Sequence, residues 1–146
     1  MALMLSLTTG FVVSFVVATI VTMIIVMIWY ARPVFGRRWM RALGRTEAQQ
    51  QEGMKGQGKA IVAAFFTNLL LAAFLAWFLQ ELSITKALDG AIIGFLIWLG
   101  FVATTSAPSV FFEKRPAAVY AIDNACMFVS FIVMGALIPL VQSYIM

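Results

Sequence analysis

A chain of 146 residues that is 63% hydrophobic and only 11% charged carries more apolar surface than one water-soluble core of that size can bury, and its mean hydropathy is +0.99. It has no histidine and a single cysteine, Cys126, which excludes an internal disulfide, a Cys/His zinc site and axial histidine ligation of a haem or chlorin. The net charge of +4 sits beside apolar stretches, where membrane topology explains it and nucleic-acid binding does not.

The first apolar stretch covers residues 7–30. A span needs about 20 apolar residues, and no charge precedes Arg32, so a permanent helix is expected here and not a cleaved signal peptide. Trp29 and Tyr30 close it as an interfacial aromatic pair. In the polar segment 31–59 that follows, Phe35, Trp39 and Leu43 recur every four residues, while Arg37, Arg38, Arg41 and Arg45 fall off that face. This predicts a short amphipathic helix in the membrane surface. Its interfacial anchors are Trp29, Tyr30, Phe35, Trp39, Arg37, Arg38 and Arg41. Gly44 ends it, Thr46 and Gln49 form a capping box for another turn or two, and Gly53, Gly56 and Gly58 loosen the approach to the next span.

Further spans are expected at 60–79, 87–107 and 116–144, the last opening on Pro116 in the first helical position. The expected fold is all-α: one membrane domain, 1–146, built as a four-helix bundle with the amphipathic helix between helices 1 and 2. Gly90/Gly94, Ala72/Ala76 and Ala121/Ala125 have the small-x-x-x-small spacing that lets helix backbones approach closely. Lys and Arg concentrate between spans 1 and 2 and between spans 3 and 4 (Lys114, Arg115), and are absent from both ends. The positive-inside rule then places those two loops in the cytoplasm and both termini outside, on the periplasmic side.

Trp29-Tyr30-Ala31-Arg32-Pro33-Val34-Phe35-Gly36-Arg37-Arg38-Trp39-Met40 resembles the W-Y-S-P-x-x-F-G-x-x-W pattern of the bacterial membrane family DUF1761. Gly44-Arg45-Thr46-Glu47 resembles that family's G-L-T-E continuation, and Trp98-Leu99-Gly100-Phe101 its W-x-G-F stretch. Phe112-Glu113-Lys114-Arg115-Pro116 and Ile122-Asp123-Asn124-Ala125 resemble its loop and fourth-helix motif. The chain departs from the pattern at Ala31, where Ser is usual, at Arg45, where the residue is usually apolar, and at Asp123, an acid beside the motif's Asn124. The resemblance covers nearly the whole chain. It implies a multi-pass protein of the bacterial inner membrane and carries no activity or functional residues with it.

Polar residues inside spans are the informative ones. A rise of 1.5 Å per residue puts Thr22, Asn68, Thr104 and Asp123 roughly 7–13 Å in from the same, basic end. Opposite them the spans are apolar: Phe74, Trp77 and Phe78, then Ile92, Ile93 and Phe95, then Phe131, Ile132 and Met134. The expectation is a polar pocket open to the cytoplasm, formed by Asp123, Asn124, Asn68, Thr22, Thr104 and Thr105, beneath an apolar plug. Arg32, Arg115 or a surface-helix arginine would be the counter-ion. The plainer alternative is a structural ion pair for Asp123 near a helix N-terminus, interhelical bonding for Asn68, and packing for the hydroxyls and Cys126.

The chain has no Ser/His pairing and no metal or cofactor motif, so an enzyme is not expected. The function expected first is transport, permeation or binding of a small solute as a homo-oligomer. The second is an accessory or scaffold subunit of a larger membrane complex. The expected surroundings are the lipid bilayer, including anionic headgroups, and no nucleic acid.

Overall fold

Thr8 caps the first helix: its Oγ1 accepts from the Phe11 amide at 3.2 Å. The structure, a computed structural model, describes residues 8–145, so residue 7 of the expected first span lies outside the described residues. All described elements are helical: α1 (Thr9–Trp29), a π-turn π1 (Arg32–Gly36), α2 (Arg37–Ala42), α3 (Glu47–Met54), α4 (Gln57–Glu81), α5 (Ala87–Ile97), a second π segment π2 (Trp98–Ala103), α6 (Thr104–Ser106), α7 (Pro108–Phe112) and α8 (Ala117–Ile145). Four helical stretches are long and apolar enough to cross a membrane: Thr9–Trp29, Gln57–Glu81, Ala87–Phe112 and Ala117–Ile145. They match the expected spans to within a few residues, the third running on through α7. The short helix between the first two spans is present as π1 and α2, ending before Gly44, whose φ of +68° a side chain would strain. The Thr46–Gln49 capping box starts α3.

The bundle is organised around α8, the most buried span. It packs chiefly on α5 and α1, while α4 lies mainly against α1 and barely meets α5. The α5–α8 contact is made backbone to backbone. A Cβ on Gly90 would overlap the Gly135 carbonyl oxygen, one on Gly135 would overlap the Gly90 carbonyl oxygen, and one on Gly94 would overlap that of Phe131. Ala72 and Ala76 are fully buried in the α4–α1 contact, so two of the three small-residue pairs mark helix contacts. The third does not: Ala121 is exposed, and α8 turns Val119, Cys126, Phe131 and Met134 inward instead.

The dry core lies away from the basic end, built from Phe11, Ala18, Ala72, Leu75, Ala76, Leu79, Met134 and Ile138. Its composition differs from the expected plug. Phe131 and Met134 are buried, whereas Phe74, Phe78, Ile92 and Phe95 face outward, where lipid suits them. At the basic end the helices are joined by polar side chains.

Candidate functional site: an aspartate cleft at the basic end

The turn that leaves α1 is tight. The Gly36 amide donates to the Ala31 carbonyl at 3.1 Å, and a Cβ on Gly36 would overlap the Tyr30 carbonyl oxygen. Pro33 suits the first turn of π1, where its missing N–H leaves no bond unmade. Trp29 stacks on Phe35 with ring centroids 4.6 Å apart, and Tyr30 meets Trp39 edge-on at 5.5 Å. This small aromatic knot aims the polar tips of its rings at α8.

Asp123 receives them. Tyr30 Oη donates to its Oδ1 at 2.6 Å and Trp39 Nε1 to the same oxygen at 2.8 Å. Arg115 donates to Oδ2 at 2.6 Å, closing an ion pair whose side chains are 42% and 23% exposed, arginine first. Trp29 Nε1 adds a bond to the Ile122 carbonyl at 3.2 Å.

Asn124 is fixed from the other side. Its Nδ2 donates to the Tyr120 carbonyl at 3.1 Å, its Oδ1 lies 3.1 Å from Ser106 Oγ, and Trp98 Nε1 donates to its carbonyl at 3.1 Å. Tyr120 Oη donates to the Ala103 carbonyl at 3.0 Å. The π2 segment makes this approach: Trp98 and Ser106 both reach α8 across it. Thr104 and Ser106 return hydrogen bonds of 2.6 Å each to the Gly100 and Val102 carbonyls, and Thr105 does so to Phe101, satisfying oxygens at the irregular turn.

Between these walls lies a cleft of about 370 Å³, lined by Asp123, Asn124, Arg115, Tyr30, Trp39 and Tyr120, with Ser106, Ser109, Val102 and Met127. Of the six residues expected to share a pocket, Asp123 and Asn124 line this cleft. Thr22 and Asn68 instead bond each other across α1 and α4, Asn68 Nδ2 donating to Thr22 Oγ1 at 2.9 Å. Thr104 and Thr105 are exposed on the third span. Among the candidate counter-ions it is Arg115 that pairs with Asp123. Trp29, Tyr30, Phe35 and Trp39 are half-buried and turned toward the bundle, whereas Arg37, Arg38 and Arg41 are exposed. Trp98, Ser106, Ser109 and Tyr120 were not foreseen at the site. Among the described residues, no three His, Cys, Asp or Glu side chains gather around a common point.

The knot carries a clear prediction. Gly36→Ala should force the Tyr30–Gly36 turn open, release Trp39 from Asp123 and destabilise the protein by about 1–3 kcal/mol. Limited proteolysis within residues 31–59 and the thermal midpoint in detergent would both report it. An unchanged cleavage pattern would mean the turn tolerates the methyl group.

Tyr30, Trp39, Arg115, Asp123 and Asn124 of the cleft fall within the segments that resemble a known family, whereas Val102, Ser106, Ser109, Tyr120 and Met127 lie outside them. No curated protein and no solved structure matches the chain. One family model does, described as a protein of unknown function (DUF1761), and it matches residues 13–138. With that match extending from within α1 to the last turns of α8, the chain belongs to the DUF1761 family.

Proposed function

We propose that this multi-pass membrane protein binds a small polar solute in the cleft beside Asp123 and, as a homo-oligomer, moves that solute at or across the bilayer. The observation that carries the reading is the pairing of a carboxylate and a guanidinium, both partly exposed, on the wall of a cleft about 370 Å³ in volume. Ligand sites are typically concave, with a few convergent polar groups. The packed core at the other end favours an oligomer, because it leaves little room for a path through one chain. Binding is favoured over catalysis because Asp123 already accepts from Tyr30, Trp39 and Arg115, and no second carboxylate lines the cleft. The clustering of Lys and Arg at this end supports a cytoplasmic opening.

A second reading, an accessory subunit, is favoured by the groove left where α4 and α5 fail to close. It measures about 430 Å³ and is lined by Leu71, Phe74, Phe78, Ile97 and Phe101, among others, a shape that suits a partner's helix. Purification of the tagged protein from its native membrane in gentle detergent, with native mass spectrometry, separates the two. A homo-oligomer without stoichiometric companions is expected. A larger partner in fixed ratio would overturn the transport reading in favour of the accessory one.

A further inference from the structure

The cleft offers hydrogen-bond donors and acceptors in an uneven pattern. An ionised carboxylate has about four acceptor positions. Tyr30 and Trp39 take up Oδ1 of Asp123 and Arg115 takes one position on Oδ2, so an acceptor position remains on Oδ2. Arg115 gives one of its N–H groups to that bond and is 42% exposed, which leaves donors available beside the acid. The hydroxyls around the pair have their protons committed to backbone carbonyls: Ser106 to Val102, Ser109 to Ser106, and Tyr120 to Ala103. They present oxygen lone pairs to the cleft, and lone pairs suit an N–H-bearing cation.

A simple anion would find Arg115 but meet the charge of Asp123, and a simple cation would meet the reverse. A molecule carrying both signs a few atoms apart satisfies both. Depth narrows the source. The 29 residues of α8 span about 43 Å against about 30 Å of hydrocarbon, so each end projects by about 6–7 Å. Asp123, six residues after Ala117, then lies about 2–3 Å below the hydrocarbon boundary and Arg115 at headgroup level. Resting on the solute-binding reading above, we infer that the cleft takes a zwitterion with a phosphate-type anion on Arg115 and a primary ammonium on Asp123 and the neighbouring hydroxyls, the chemistry of a phosphoethanolamine headgroup.

The test uses the whole protein in nanodiscs of equal parts phosphatidylethanolamine, phosphatidylcholine and phosphatidylglycerol, followed by native mass spectrometry of the lipid that stays bound. Phosphatidylcholine has the phosphate but no ammonium N–H, and phosphatidylglycerol has no ammonium. Phosphatidylethanolamine should be retained at least several-fold over both. Arg115→Gln removes the phosphate contact and should lower phosphatidylethanolamine retention at least several-fold, while Lys86→Gln, at the opposite end, should leave it intact. If Arg115→Gln lowers the folded fraction, Ser109→Leu carries the same expectation, because it fills the cleft without removing either member of the ion pair. Soluble phosphoethanolamine should displace the lipid. If it raises the thermal midpoint in phosphatidylcholine nanodiscs and no lipid is retained, the same chemistry is met by a free solute. Retention of phosphatidylglycerol that is lost in Arg115→Gln would overturn the zwitterion and leave the cleft as an anion site. Retention indifferent to Arg115→Gln and Ser109→Leu, with no response to phosphoethanolamine, would overturn both the inference and the cleft reading beneath it.

Discussion

Gly90→Val and Gly94→Val are each expected to lose at least about 3 kcal/mol of stability and most of the folded yield, although each adds only a small apolar side chain inside an apolar span. The positions where their Cβ atoms would go are already held by the carbonyl oxygens of Gly135 and Phe131, which are backbone atoms of α8. A flexible side chain could move aside, but a helix backbone gives way only by separating α5 from α8. That contact is central to the bundle, because α5 has little other support and barely touches α4. Pro139 adds to the effect. It has no N–H to offer the Gly135 carbonyl four residues earlier, and its ring lies beside Gly90. A Gly90 α-hydrogen points at that carbonyl in place of the missing donor, and Gly135 returns the contact to the Gly90 carbonyl, a reciprocal pair of weak C–H···O bonds. Gly135→Val should therefore behave like Gly90→Val. Gly100→Ala is the control: nothing lies within 4 Å of its added carbon, and its expected change is under about 1 kcal/mol. Thermal midpoints in one detergent would rank the four, and a Gly90→Val protein as stable as Gly100→Ala would refute this account of the α5–α8 contact.

Hydropathy and length made the spans legible, because lipid imposes one requirement on every residue of a span and the sequence meets it openly. The capping box at Thr46 and the stop at Gly44 were legible because each follows from local backbone chemistry. The azimuth of each side chain was not. Thr104 and Thr105 share a depth with Asp123, yet each residue added to a helical turn rotates everything after it by about 100°. The π2 segment Trp98–Ala103, which reads as ordinary helix, intervenes before them. Small-residue spacing has the same limit. It says how closely a helix can be approached and not from which side, which is why Gly90 and Gly94 meet α8 while Ala121 faces outward. Trp39 and Tyr30 read as lipid anchors because their apolar bodies fit that role. Their pairing with Asp123 joins residues more than 80 positions apart, and no local pattern encodes such a contact.

Asp123→Leu is expected to destabilise the protein by about 3 kcal/mol, more than Asp123→Asn at about 1–2 and Arg115→Gln at about 1 or less. The order follows from which groups are left without partners. Arg115 is 42% exposed and can turn to water and headgroups, so losing the ion pair as such matters little. The Tyr30 hydroxyl and the Trp39 indole are half-buried under the aromatic knot, and both donate to one oxygen of Asp123. Leucine removes that oxygen and strands two donors, each at about 1–3 kcal/mol where water cannot reach, toward the lower value here because the site opens at the interface. Asparagine keeps one oxygen for the two rings; it loses the charge and the oxygen that accepts from Arg115, which can turn to water. Tryptophan emission should follow the same order, shifting most in Asp123→Leu as Trp39 leaves its acceptor. Thermal midpoints for the three variants decide the matter. If Arg115→Gln is as damaging as Asp123→Leu, the ion pair itself holds this end of the bundle, and the neutral donors from the α1–α2 turn contribute little.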